Sequence, residues 1–390
     1  MDLTIGSLRA GDEEQRHALM RQAFNGTQAF DPELPALDPD RAVCAHDGDR
    51  LVGTVLTFDF AQTWGGRAVP CGGVSGVAVA PEVRGRSAAR RMLAESFARM
   101  GRRGEVVACL YPTVSALYRS VGFEVVGFHE RRSIPLGGIR TDAGPLAWRP
   151  LPLGDPLVAE LHDRMAAGHD GWFRGDPGWW AFRGMREARE TSVNRFCFVG
   201  ARAGVDVAVV QYRYGTSETA MYDLEVEVLA GLDGDAIGAA LLLLAGHGST
   251  AGAVRTTVPP SVLGTHVPEL QRTKVVDDWP FMLRLVDVPG AIGARGWPGA
   301  VQGRVELLVV DEVLPANAGP HVLEVADGEA SLVRGGAGTI RVTAQDLAVL
   351  YAGGDVAALR AAGRLGEATP ADVDLLAAAF VSNPTLPLFF

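Results

Sequence analysis

The chain is predicted to be a mixed α/β (α+β) protein of two or three domains. Its 390 residues compare with about 100–200 per domain in most proteins. Its composition, 47% hydrophobic and 21% charged, suits a chain that buries cores and excludes a disordered, collagen-like or disulfide-rich one. Short apolar runs also alternate with segments of helical periodicity along most of the chain.

The first 145 residues alternate strands and helices. Residues 3–5 read as a strand, and 12–24 as a helix with Leu19, Met20 and Ala23 on one side. Gly26, Pro32, Pro35 and Pro39 make 25–40 a loop or a broken helix. Strands at 42–45 and 51–58 frame Asp47-Gly48-Asp49, a hairpin signal, and Gly65-Gly66 makes the next turn. A strand at 73–79 precedes a helix at 85–102, whose Ala89, Met92, Leu93 and Phe97 are spaced for a core face. A strand at 106–110, a short helix at 114–120 and a strand from 123 to 128 complete this part.

Residues 146–285 open on a Pro-rich linker, 145–156, followed by Trp172, Trp179 and Trp180 as a packed aromatic patch. Strands at 196–201, 205–214 and 222–229, a helix at 235–245 and a strand at 254–258 repeat the order of the first domain. Residues 286–390 carry short strands at 305–310, 321–325, 330–333 and 339–342, then helices at 344–351, 356–362 and 370–380. The chain ends Leu386-Pro387-Leu388-Phe389-Phe390. A solvated tail is polar, so this apolar end is expected to dock.

The formal net charge of −10 argues against nucleic acid as a partner. No apolar stretch is long enough for a bilayer, and the N-terminus has neither the basic start nor the apolar core of a secretory leader, so a cytoplasmic protein without membrane association is expected. Cys44, Cys71, Cys109 and Cys197 form no C-x-x-C pair and read as small buried hydrophobes in a reducing compartment. The histidines lack ligand spacing, so no metal is expected, and no G-x-S-x-G elbow supports a hydrolase.

The informative stretch runs from Val74 to Arg91, VSGVAVAPEVRGRSAARR. A strand ends near Val79, Pro81 breaks it, and small and basic residues lead into a helix. The first turn of a helix carries unpaired N–H groups and a positive dipole end. Small residues let an anion approach that backbone, and arginines add charge-assisted bonds. The stretch reads as a diphosphate cradle or as a plain β–α turn with a solvated basic helix start. It is neither a Walker loop nor a G-x-G-x-x-G dinucleotide loop.

This stretch resembles the acyl-CoA loop of the GNAT N-acyltransferases, Arg/Gln-x-x-Gly-x-Gly/Ala, with Arg84-x-x-Ser87-x-Ala89 in its place. Ser87 departs from the family glycine but stays small and keeps its N–H. Tyr118-Arg119-Ser120-Val121-Gly122-Phe123 matches the family's Y-x-x-x-G-F. Residues 284–297, RLVDVPGAIGARGW, and the terminal Phe390 resemble the third-domain start and the tail of the Eis-type (enhanced intracellular survival) acetyltransferases. That resemblance implies a catalytic GNAT domain at 1–145, a degenerate second GNAT-like domain at 146–285 and a sterol-carrier-protein-like domain at 286–390 that docks the tail. It also implies a homohexamer.

The resemblance further implies acetyl-CoA as co-substrate and a primary amine as acceptor, of aminoglycoside, polyamine or lysine type. Val77, Ala78 and Val79 would hold the pantetheine and the thioester carbonyl. Arg84, Gly85, Arg86, Ser87, Ala88, Ala89 and Arg90 would hold the diphosphate, and Thr113 would supply a hydroxyl contact. Tyr118 is the expected general acid, since a phenol is protonated at neutral pH; read by itself it is equally a core tyrosine. The Phe390 carboxylate is the expected base, against a reading as an apolar plug. Asp31 and Glu33, in the loop 24–37, are candidate amine partners or solvated turn residues. In the second domain 229–235 is acidic and lacks arginine, so no CoA is expected there. The rival function is a non-catalytic sensor that binds acyl-CoA or another ligand.

Overall fold

A computed structural model describes residues 3–26, 30–31, 37–190 and 193–390. The chain folds into two compact units, Met1–Val126 with Phe281–Asn383 and Phe390, and Gly127–Pro280 with Pro384–Phe389.

The first unit begins with β1 (Thr4–Ser7), α1 (Glu13–Phe24), β2 (Ala42–Asp47), β3 (Arg50–Trp64), β4 (Arg67–Val79), α2 (Ala88–Arg103), β5 (Val107–Leu110) and α3 (Ser115–Arg119). Strands β1 to β4 pair antiparallel in sequence order, and β5 joins β4 parallel. A parallel pair needs a crossover, and α2 supplies it. Met92, Leu93, Phe97 and Met100 bury one face of α2 in a core shared with Val52, Val55 and Val74. The helix starts three residues later than its periodicity predicts. Gly85 (φ 77°) and Ser87 (φ 59°) take left-handed backbone and hold the preceding loop out of the helix.

The β4–β5 ladder stops at Gly73↔Cys109, whereas β4 continues six residues further to Val79. Beyond Gly73 the side of β4 that faced β5 is therefore open. Ala80 N–H bonds Val52 O on β3, and alternation turns the N–H of Val79 to that open side.

The second unit holds β6 (Glu124–Pro135) from Gly127 onward, β7 (Ala147–Pro150), α4 (Pro156–Ala166), β8 (Phe173–Arg174), α5 (Pro177–Arg189), β9 (Arg195–Arg202), β10 (Val205–Gly215), β11 (Tyr222–Gly231), α6 (Gly234–Ala245), β12 (Ala251–Thr256), α7 (Pro260–Leu263) and the first half of β13 (Lys274–Leu285). Its strands run in the order β6-β12-β11-β10-β9-β7, with β11 and β12 parallel around α6. Helices α4 and α5 occupy a stretch expected to be linker and aromatic patch. Each is opened by an Asp-Pro step whose carboxylate accepts first-turn N–H groups, Asp155 from Leu157 and Asp176 from Gly178 and Trp179. Trp172 and Trp180 enclose His162 at ring distances of 5.4 and 5.3 Å, so these tryptophans are core.

The tail is tied into the second unit as far as residue 389. Leu386 and Leu388 are buried, Trp172 Nε1 donates to Thr385 Oγ1 (2.7 Å), and Thr257 Oγ1 donates to Pro387 O (3.0 Å).

The first unit resumes with the second half of β13, antiparallel to β5 from Met282↔Leu110 to Leu285↔Val107. It continues through α8 (Val288–Ala294), β14 (Gly303–Val310), β15 (Gly319–Ala326), β16 (Glu329–Arg334), β17 (Ile340–Thr343), α9 (Ala344–Tyr351), α10 (Val356–Ala361) and α11 (Pro370–Ala379). The four strands order β16-β15-β14-β17. Capping boxes Thr343/Asp346 and Thr369/Asp372 start α9 and α11. The stretch 284–297 is a joint. Asp287 caps α8, and Arg295 lies over the rings of Trp297, Tyr351 and Phe380 while donating to Tyr351 O. No helix among the described residues is long and apolar enough to cross a membrane.

Candidate active site

The opening between β4 and β5 is a cleft of about 660 Å³ in the first unit. One wall is the end of β4, Val77, Ala78 and Val79. The floor is the loop and first turn of α2, with Arg84, Gly85, Ser87, Ala88, Ala89 and Arg90. Thr113 and Tyr118, on and before α3, form the far wall, and Phe24 of α1 borders the mouth.

Each wall has a local cause. The left-handed Gly85 and Ser87 set up the start of α2, whose first hydrogen bond runs from Arg91 N–H to Ser87 O. The N–H groups of the residues between have no acceptor within the helix. Ala88 and Ala89 add no side-chain bulk over them. Arg84 folds back, and its Nε donates to Val79 O (3.2 Å), tying the loop to the strand end. Arg86 is exposed on the same loop, outside the lining of the cleft. Arg91 turns away and donates to Leu3 O (3.0 Å).

Tyr118 is buried, with its ring edge-on to Phe123 at 6.1 Å. Burial pushes its phenol up to about 12, so it stays protonated through the physiological range.

The sequence-predicted residues thus converge on one cleft, except Arg86 and Phe390. The terminal ring lies further down β4, with Phe60 at 5.1 Å, Tyr111 at 5.5 Å and Phe58 at 6.2 Å. A Cβ added to Gly73 would come within 3.0 Å of it, so the ring sits directly on the strand backbone. Asp31 is half-buried, and Glu33 falls outside the described residues.

Small first-turn residues, basic side chains, an open strand edge and a protonated phenol together fit a ligand with an anionic diphosphate end and a reactive carbonyl end. Among the described residues no group of three or more His, Cys, Asp or Glu side chains is placed to hold a metal. Residues 4–126 match the acetyltransferase (GNAT) domain family. This segment is a GNAT acetyltransferase domain. Acetyl-CoA is the co-substrate that this fold implies, and the chain built around it is an acetyltransferase. Residues 288–387 match the sterol carrier protein domain family.

The chain is similar along its length to an uncharacterized N-acetyltransferase of Streptomyces avermitilis, at 28% identity over 99% of each chain. It shares its fold with a GCN5-related N-acetyltransferase of Anabaena variabilis (TM-score 0.90, 23% identity, 100% of both chains). The fold is also that of Eis1 from Mycobacterium abscessus (TM-score 0.83, 21% identity, 100% of both chains).

Several features of the GNAT domain escape sequence reasoning. Phe58, Phe60 and Tyr111 receive the terminal ring, and nothing in their spacing marks them as one receptor. Cys71 and Cys109 stand 3.4 Å apart (Sγ to Sγ) on neighbouring strands, fully buried, and burial raises the Cys109 thiol well above its usual range. Such thiols are poor nucleophiles.

Proposed function

We propose that the chain is an acetyl-CoA-dependent N-acetyltransferase of the Eis type that acts on primary amines of aminoglycoside, polyamine or lysine kind. The observation that carries this reading is the cleft, in which the open end of β4, the basic first turn of α2 and Tyr118 meet. Likeness in fold to Eis1 along the whole chain supports the narrower family.

In this reading the backbone N–H groups of Val77 and Val79 hold the pantetheine and polarise the thioester carbonyl. The N–H groups of 85–90, with the Arg84, Arg86 and Arg90 side chains, hold the diphosphate, and Thr113 gives a hydroxyl contact. The Phe390 carboxylate, directly or through water, takes the proton from the attacking ammonium. The amine nitrogen then bonds to the acyl carbon as the C–S bond breaks, and Tyr118 gives its proton to the departing sulfur. Amide and free thiol are the products. Attack is direct, since no activated cysteine stands in the cleft.

The boundaries 1–145, 146–285 and 286–390 belong to this proposal, with 146–285 a degenerate GNAT fold that serves as scaffold. The order of three antiparallel strands, a helix and a parallel strand in 195–256 supports it. There the Asp233 carboxylate occupies the start of α6, accepting from Ala236 N–H (2.8 Å) and pairing with Arg202. A diphosphate at that helix start would meet like charge. A cytoplasmic homohexamer is part of the same reading.

The test is thiol release from acetyl-CoA by protein with a free C-terminus, across aminoglycosides, polyamines, arylalkylamines and lysine peptides, beside Tyr118→Phe. Release that needs both an amine and Tyr118 establishes the reading. Acetyl-CoA binding without turnover returns the sensor reading, and absence of binding overturns the cofactor assignment.

A further inference from the structure

Helix α3 carries Tyr118 and is five residues long. A helix that short has no stability of its own, and its terminal carbonyls need donors from elsewhere. Inside the loop that follows, Val121 and Phe123 N–H both bond Tyr118 O, and Gly122 N–H bonds Arg119 O. Two further donors come from the far end of the sequence. Arg284 Nη1 donates to Val121 O, and Gln345 Nε2 donates to Arg119 O (2.8 Å).

Arg284 is itself fixed. It is fully buried, and its Nη2 makes a bidentate contact with Asp311 (2.8 Å to each oxygen). Its guanidinium lies over the ring of Phe97 at 5.0 Å. Asp311 Oδ1 also accepts from Val313 and Leu314 N–H, and Oδ2 accepts from Asn317 Nδ2. Asn317 returns to the joint through Val286 O and Val288 N–H. A further charge chain reaches the same place: Arg119 pairs with Glu124, which stands 3.7 Å from Arg364, which pairs with Asp346. Gly122 (φ 89°) leaves the room, since a Cβ there would overlap Arg284 Nη1 at 1.4 Å.

We propose that Arg284, locked by Asp311, and Gln345 are positioning residues for acetyl transfer: Gln345 caps the last residue of α3, Arg284 ties down the loop that follows, and together they hold the Tyr118 hydroxyl at the cleft. The C-terminal part of the chain then acts on the reaction through the helix that bears the acid. This rests on the reading of Tyr118 as that acid.

The test uses the full chain in two variants. Gln345→Met removes one donor at a half-buried site and leaves the core intact. Arg284→Met/Asp311→Leu removes both buried charges together, so that neither is left unpaired. Hydrogen exchange of 115–124 is read against the rest of the chain, together with kcat and the acetyl-CoA KM on the best amine of the panel. The expected result is faster exchange at 115–124 in both variants, confined to that segment in Gln345→Met and joined in the double variant by the turn at 313–317 that Asp311 holds. With it kcat should fall by about 3-fold for Gln345→Met and about 10-fold for the double variant, as small misplacements of reacting groups cost, at an almost unchanged KM.

Unchanged exchange at 115–124 in both variants overturns the proposal. So does faster exchange with undiminished kcat where Tyr118→Phe is slow. A Tyr118→Phe as fast as the native enzyme removes the acid reading instead, and with it the catalytic half of the proposal.

Discussion

The ring of Phe390 packs 5.1 Å from that of Phe60, and the two together cover the backbone of Gly73, where the pairing of β4 with β5 ends. The last residue of the chain therefore stands at the root of the opening that forms the cleft. One glycine added after Phe390 would move the terminal carboxylate by about 3.5 Å and leave the ring where it is. If that carboxylate accepts the amine proton, kcat should fall by about 100-fold or more. The melting temperature should change by no more than a degree or two. Full turnover by the extended chain would exclude the carboxylate as base.

Burial of Tyr118 holds its phenol at about 12, so its own ionisation cannot limit activity in ordinary alkaline buffers. Replacing it by Phe keeps the ring contact with Phe123 and removes only the hydroxyl. A loss of about 100-fold or more in kcat is expected, with no alkaline fall in the native pH profile that Tyr118→Phe abolishes below about pH 11. A kcat that survives the substitution would leave Tyr118 as core.

Ser87 adopts φ 59°, a conformation that costs an L-residue about 1–2 kcal/mol and glycine almost nothing. Ser87→Gly should therefore stabilise the protein by about 1 kcal/mol in urea unfolding of the first unit. Ser87→Val, branched at Cβ, should destabilise it by at least that amount. Equal stability of the two variants would show that the loop relaxes out of the left-handed conformation.

The contrast between Ser87 and Arg284 separates what sequence could and could not disclose. The loop at 84–90 was legible because strand end, breaker, small residues and helix are adjacent in the chain, and the chemistry of a helix start is local. The backbone at Ser87 was legible only through the family glycine it replaces. Arg284 stands in a recognisable stretch, yet its partners Val121 and Asp311 lie 163 and 27 residues away, and no periodicity encodes such distances. The same holds for the receptor of Phe390. Strand β13 was hidden by Asp277, Asp278 and Pro280, residues that argue against a strand. By contrast α4 and α5 could have been found, since Asp155-Pro156 and Asp176-Pro177 are cap-and-start signals.

His162 is enclosed by Trp172 and Trp180, and burial lowers its proton affinity. Burial also leads the lowering at His129, His247, His266 and His321. For each, the folded pKa lies below the unfolded value of about 6.5. As pH falls below 6.5 the unfolded chain takes up protons that the folded chain refuses, so stability declines with falling pH until the folded pKa is reached. His162, held between two tryptophan rings, contributes to that decline through its burial. Unfolding of the second unit, followed by tryptophan fluorescence, should show a urea midpoint that drops between pH 7.5 and pH 5.5. His162→Phe keeps a ring between the tryptophans and has no proton to gain, so it should flatten that drop. An equally steep drop in His162→Phe would move the acid sensitivity of that unit to His129, His247 and His266.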